Sequence, residues 1–589
     1  MKAGALLISP ARGRWPRCWL AGALLLLAGP LAAQPAQVEI TGLTGEMQEN
    51  ARTMLSLQRY ETAELSPGRV RRLHARAPDE ITRALQPFGY YQPQIESSLR
   101  LEDNVWRAHY SVDPGEPVRI VRLDLALAGA GSDDPELMAL LRDFPLSEGD
   151  RADQRLYTRG RDSMRRRAID RGYLDARYLR QRIVVNPQTL EAEVELQLDT
   201  GPRYRFGEVR MDQDILKPEF LQRFVPFERG DPYTSRDLLD LQYALDDSGY
   251  FARVEIEPRR DQTENQEVPI EVQLEPRPRN LYTVGPGFGT DTGPRLRAGW
   301  ENRRLNRRGH RAGVDFMVSP VINTLSARYV VPIANPATDD VTYRARVQRE
   351  KIEDRDSLIQ NLGVTQSRVF GRWQRSLRLD FERERFELGD DPSRESDLLM
   401  PGAGLVYIRA SDPVYPDRGV RWGVHIKGAH RDVVSDVSFS QLRTELRTIY
   451  RLHPRGRVLL RGEAGGSSVE EFAELPLSQR FFAGGDFSVR GFRYKSLGPE
   501  DEDGVVVGGR HLLTASAEYE YRFARNWAAA IFHDQGNAFD KWDDFTLRES
   551  AGAGIRWLTP VGPLRVDIAR PIDVGGGSYR LHLTLGGDL

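Results

Sequence analysis

The residues whose types and spacing could do chemistry are Arg490 and Asp534, and the chemistry they offer is charge pairing in a desolvated place. Arg490 stands in Val489-Arg490-Gly491-Phe492, inside a glycine-punctured loop over residues 481–498. Glycines let such a loop fold back and approach other backbone closely. A guanidinium held among apolar and small residues is costly unless an anion meets it. About two strands later comes Phe532-His533-Asp534-Gln535-Gly536, and Asp534 is the candidate partner. His533 lies beside Asp534 but on the opposite face of a strand, so an Asp-His relay is not expected. No G-x-S-x-G elbow, H-E-x-x-H or G-x-x-x-x-G-K stands in the chain. Gly285, Gly287 and Gly289 alternate along a strand pattern and open no helix, unlike a dinucleotide fingerprint. The expectation is no catalytic residue, no metal ligands, no cofactor and no enzyme activity. Work must come from binding and conformational energy.

The elements that position these residues follow from the totals. At 589 residues the chain exceeds one ordinary core. A net charge of -2 gives no bulk attraction for nucleic acid, and none is expected as a partner. Lys2, Arg12, Arg14 and Arg17 precede an apolar run at residues 20–28, and Ala32-Ala33 follows, so residues 1–33 are expected to be a secretory signal. The single cysteine, Cys18, lies within it, leaving a mature chain without thiols. Mean hydropathy is -0.51, and no later apolar run suits a spanning helix. A spanning β-barrel stays allowed, because only every second residue must be apolar.

Residues 37–276 carry a degenerate threefold repeat. Its marks are Phe88-Gly89-Tyr90, Arg171-Gly172-Tyr173 and Ser248-Gly249-Tyr250, spaced by 83 and 77 residues. Helical periodicity precedes each mark, with a cap signal at Thr234-Ser235 before the third. Two strand-like runs follow each mark. The unit is strand, helix, helix, strand, strand, with glycine ending the second helix. A period near 80 makes each unit a small domain, predicted over residues 37–114, 115–200 and 201–276.

Past a proline-punctuated boundary at residues 275–280, helical periodicity stops and period two takes over. Thr514, Ser516, Glu518, Glu520 and Arg522 interleave with Ala515, Ala517, Tyr519, Tyr521 and Phe523. A face dense in Arg and Glu opposite an apolar one suits a wet lumen inside a lipid-facing wall. Residues 281–589 are predicted to form sixteen antiparallel transmembrane strands. The connections at residues 335–340, 388–398 and 499–509 are Asp- and Pro-rich and are expected on the extracellular side. The first strand, residues 281–289, should meet the last, residues 578–586, at a closing seam. Gly285, Pro286, Gly287 and Gly289 on one side weaken that ladder, and Leu581, Leu583 and Leu585 mark the other.

With these motifs in order, the chain resembles the outer-membrane assembly-factor superfamily of BamA and TamA. The first three units are similar to POTRA domains, the periplasmic arm of that family. The resemblance implies that Arg490 meets Asp534 inside the lumen. Such a pair either only pins the loop there or, by pinning it, holds the far wall stiff and concentrates deformation at the seam. Three POTRA-like units point to the TamA branch. That branch implies an outer-membrane subunit of the translocation and assembly module, with its repeats in the periplasm. It would insert β-barrel or autotransporter clients by β-augmentation at the lateral seam. Implied partners are a TamB-like inner-membrane-anchored protein reached through the first repeat, unfolded outer-membrane clients and outer-membrane lipid. The alternatives are a two-partner-type polypeptide secretion pore and transfer of phospholipid to the outer membrane.

Overall fold

The computed structural model describes residues 35–60, 65–103, 105–560, 562–573 and 578–586. The expected signal, Cys18 included, lies outside them. Residues up to Arg203 form one compact unit and those from Tyr204 a second.

The first unit holds two copies of the repeat. One runs β1 (Ala36–Thr41), α1 (Gly45–Met54), α2 (Pro67–Leu85), β2 (Gln94–Glu102) and β3 (Val105–Asp113). The next runs β4 (Arg119–Ala128), α3 (Pro135–Arg142), α4 (Gln154–Asp170), β5 (Arg177–Asn186) and β6 (Glu191–Asp199). In each the last strand sits centrally, parallel to the first and antiparallel to the middle one. The third copy opens the second unit: β7 (Arg205–Asp212), α5 (Pro218–Leu221), α6 (Ser235–Asp247), β8 (Phe251–Pro258) and β9 (Glu267–Pro276), in the same order. Gly89, Gly172 and Gly249 take φ of 87°, 89° and 77°, the left-handed step that ends the second helix of each unit. The expected cap is Thr234, whose hydroxyl accepts the Asp237 N–H at 3.1 Å.

Sixteen antiparallel strands follow in sequence order. They are β10 (Asn280–Gly289), β11 (Gly293–Asn302), β12 (Arg311–Val318), β13 (Ile322–Pro332), β14 (Asp339–Ile352), β15 (Arg355–Phe370), β16 (Trp373–Leu388) and β17 (Arg394–Ala410). The rest are β18 (Gly419–Ala429), β19 (Phe439–His453), β20 (Gly456–Val469), β21 (His511–Ala524), β22 (Trp527–Phe539), β23 (Arg548–Thr559), β24 (Gly562–Pro571) and β25 (Arg580–Leu585). The sheet curls into a nearly closed barrel. Along β22, Trp527, Ala529 and Ile531 face outward while Ala528, Ala530, Phe532 and Asp534 are buried inside. Tyr282, Trp373, Trp422, Trp527 and Trp557 sit at the strand ends nearest Asn280, the girdle position of a lipid-embedded wall.

The third module docks on that same end. Lys217 N–H donates to the Arg307 carbonyl at 2.9 Å, and Arg223 reaches the Ala334 carbonyl at 3.0 Å. The Tyr250 hydroxyl donates to the Gly309 carbonyl, beside Phe220. The connection at residues 335–340 therefore lies at the module's end of the barrel and not on the extracellular side as its composition suggested. Strand parity requires this: it follows the fourth strand, and only connections after odd-numbered strands reach the far end. Gly309, at φ 73°, leaves no room for a side chain, since a Cβ there would stand 2.3 Å from the Phe220 ring. Gly309→Val is expected to loosen this docking by ~1–3 kcal/mol. Limited proteolysis at residues 276–280 should then run several-fold faster than in the unsubstituted chain; equal rates would show that the contact does not hold the module.

Candidate functional site

The loop between β20 and β21, residues 470–510, folds into the lumen and is fastened on two walls. On one, Ser478 N–H donates to Glu384 at 3.1 Å, Gln479 donates to Glu382 at 2.6 Å, and Lys495 pairs with Glu350 at 2.9 Å. Those carboxylates stand on β14 and β16. On the other wall lies Arg490, 3% exposed.

Asp534 receives the Arg490 backbone N–H at 3.1 Å, Nε–H at 2.7 Å and one Nη at 2.9 Å. The other Nη donates to Glu518 at 2.8 Å and Asp567 at 3.1 Å, while the Nη that meets Asp534 also donates to Ser516 at 3.4 Å. All five guanidinium donors thus have acceptors, the condition under which a buried charge is tolerated. The guanidinium carbon lies over the Phe532 ring, 3.3 Å from its centroid. The F-x-D-x-G spacing now has a physical reason. Phe532, Asp534 and Gly536 share the lumen face of β22, supplying a platform, an anion and a gap. At Gly536, φ 139°, a Cβ would lie 2.2 Å from the Leu513 carbonyl. Gly491, φ 94°, slides against Ser550 and Arg570. Val489 is fully buried with Phe481, Ala483, Leu497, Leu512 and Ala538, and Phe492 packs against that cluster.

The pairing read from sequence is part of a larger network. Arg556 spans Glu518 at 2.6 Å, Glu520 at 3.1 Å and Asp567. Arg457 closes on Glu520 at 2.7 Å, where Tyr415 also donates at 2.9 Å. Period two puts Glu518 and Glu520 on one face, whereas Asp567 joins the site only through the fold. Nothing in that period says which strands curl round to meet the loop. The expected far wall also needs correction. Asp534, Glu518 and Asp567 stand on β22, β21 and β24, and β24 pairs with β25, so the pinned wall adjoins the seam.

At the seam, no ladder joins β10 to β25 among the described residues. Leu583 N–H donates across it to Thr290 Oγ1 at 2.7 Å. Tyr282, Val284, Pro286 and Phe288 face outward and are exposed. Gly285, Gly287 and Gly289 face the lumen, leaving three positions on the inner side of β10 without side chains; a Cβ at Gly285 would touch nothing within 4 Å. Leu581 and Leu585 are exposed outward, with Leu583 between them on the same face.

A lipid-girdled barrel with a charge-pinned lumen loop, behind three β-α-α-β-β modules, defines an outer-membrane β-barrel that carries periplasmic modules. The Omp85 superfamily domain matches residues 294–588, half of the chain. The chain belongs to the Omp85 superfamily. Residues 37–114 match a POTRA domain described as TamA domain 1, and residues 204–277 match a surface antigen variable number repeat. The chain is similar to outer membrane protein assembly factor BamA of Nitratidesulfovibrio vulgaris, 25% identical over 59% of this chain and 46% of that one. BamA of Neorickettsia risticii is 22% identical over 64% and 53% respectively. The chain thus spans about half the length of these relatives. In fold it resembles Haemophilus ducreyi BamA lacking POTRA domains 1–3, with TM-score 0.63 and 18% identity, covering 79% of this chain and 98% of that one. The barrel lies in the outer membrane and the POTRA region in the periplasm.

Removing one partner of the buried pair strands the other charge, at a cost of ~3–5 kcal/mol. Arg490→Ala and Asp534→Ala should each lower the temperature at which the folded barrel loses its faster gel migration. Exchanging the two side chains should not restore it, because a carboxylate at 490 would face Glu518 and Asp567. Recovery by the exchange would mean that the pairing between positions 490 and 534 holds the loop without Glu518 and Asp567.

Proposed function

We propose that this protein is an outer-membrane assembly factor that accepts the edge strand of an unfolded outer-membrane client at the β10–β25 seam. The observation that carries this is that, among the described residues, no ladder joins β10 to β25, while every other neighbouring pair of strands in the wall is laddered. In lipid each unpaired backbone group costs several kcal/mol, so an open edge is tolerable only if another strand can satisfy it. A client strand does so by β-augmentation, with no nucleotide consumed.

The two sides of the seam are unequal. β25 is backed by β24, whose Asp567 belongs to the arginine network, whereas β10 carries glycines on its inner face and proline within it. β10 is therefore the side that yields, and its edge receives the client. Three POTRA-like units, and the match of the first to a TamA-type POTRA domain, favour the TamA branch. On that reading the arm meets a TamB-like inner-membrane-anchored protein. A loop fastened on two walls of the lumen argues against threading a polypeptide through it, the secretion-pore alternative.

Cysteines replacing Thr290 and Leu583 lie where the two edges already touch. Oxidation of this pair is expected to reduce assembly of newly exported barrels at least tenfold in cells depending on this chain, with recovery on reduction. Undiminished assembly by the oxidised form would overturn the seam mechanism.

A further inference from the structure

Three residues far apart in sequence converge where the ends of the barrel sheet meet. Asp291 lies in the turn between β10 and β11, Asp486 in the lumen loop and His582 in β25. Asp486 N–H donates to Asp291 Oδ2 at 2.8 Å. Gly491 N–H donates to His582 Nε2 at 2.9 Å, so that nitrogen is an acceptor and the ring proton sits on Nδ1. Nδ1–H then donates to Asp486 Oδ1 at 2.6 Å. Asp486 and His582 are buried, at 7% and 3% exposure. Both imidazole nitrogens are engaged within the protein, which favours a hydrogen-bonded relay over metal ligation. The loop can come this close because of Gly485, at φ 104°, where a Cβ would stand 2.7 Å from Asp291 Oδ2.

We propose that Asp486 is a latch, tying the first hairpin through Asp291 to the last strand through His582, so that the lumen loop and not a strand ladder holds the seam shut. The same loop segment carries Arg490 four residues on, anchored to β21, β22 and β24. The latch thus fastens the β10–β11 hairpin to the side of the barrel that carries the arginine network. Its release frees β10 without disturbing the arginine network. Two carboxylates meet in it, and burial, together with the facing Asp486, pushes Asp291 up to about 6. The functional consequence rests on the seam reading above; the latch itself does not.

The test uses the full chain in vesicles of phosphatidylethanolamine and phosphatidylglycerol, with Cys18→Ser and spin labels on Phe288→Cys and Leu585→Cys. These positions lie two residues along each edge from the Thr290–Leu583 contact, since β10 and β25 run antiparallel. The unsubstituted latch should give one narrow distance distribution. Asp486→Ala and His582→Ala should each add a population longer by at least one strand spacing, ~4.8 Å. Asp291→Ala should do the same, while Asp291→Asn, whose amide oxygen still accepts the Asp486 N–H, should stay narrow. Distributions that superimpose for all four variants would overturn the latch. If the buried substitutions prevent folding, the two Asp291 variants, in a hairpin turn, decide the matter alone. No client takes part, so the outcomes separate. Unchanged distances with assembly still blocked by the Thr290–Leu583 disulfide remove the latch and keep the assembly reading. Lengthened distances with assembly indifferent to that disulfide do the reverse.

Discussion

One desolvated guanidinium organises the barrel half of this chain. Burying Arg490 is affordable only because three carboxylates, a serine and an aromatic face are already in place. Those groups come from three strands and must arrive together with the loop. The arginine therefore specifies more than a contact: it fixes which strands face the loop, and in which register. A register slip of one residue on β22 would turn Asp534 and Phe532 to lipid and leave the charge unpaired. The barrel and its lumen loop are in this sense one cooperative object.

Much of this was legible in the chain, for identifiable reasons. The three Gly-Tyr marks showed because each glycine ends a helix in a conformation that other residues resist. The strands showed because lipid and lumen impose alternation on every one of them. The pair Arg490 and Asp534 showed because an arginine in an apolar loop demands an anion. What stayed hidden was neighbourhood. Alternation assigns Glu518 to a face but not to Arg490, and His582 to a face but not to Asp486. Both depend on how the sheet closes, a long-range property without a local period. The sidedness of residues 335–340 failed for a related reason. Composition reports exposure to water, and water lies on both sides of the membrane; only the parity of strands tells the ends apart.

Close approaches between segments recur at glycines that carry no charge and would be taken for turns. Gly309 admits Phe220 and Tyr250 of the third module. Gly485 admits the Asp291 carboxylate, and Gly536 admits the backbone of β21. Each is a place where two segments meet more closely than a methyl group allows. Together they join the periplasmic module, the hairpin and the loop to the wall. The side chains do the bonding at these sites, but the glycines permit it.

The asymmetry of the seam follows from where these bonds fall. On the β25 side, β24 shares Asp567 with Arg490 and Arg556, so bending it would disturb a buried network whose members cannot be left unpaired. On the β10 side, three glycines stand on the lumen face, and the strand is held by its ladder to β11 and by the Thr290 and Asp291 contacts. A barrel whose sides were equally stiff would gain nothing from an unladdered seam, since neither edge could leave. One whose sides were equally loose would lose the register that the arginine network sets. With stiffness confined to one side, β10 can exchange partners while β20 to β25 keep the barrel's identity. The unpaired edge is thereby presented by the strand best able to move toward an incoming one.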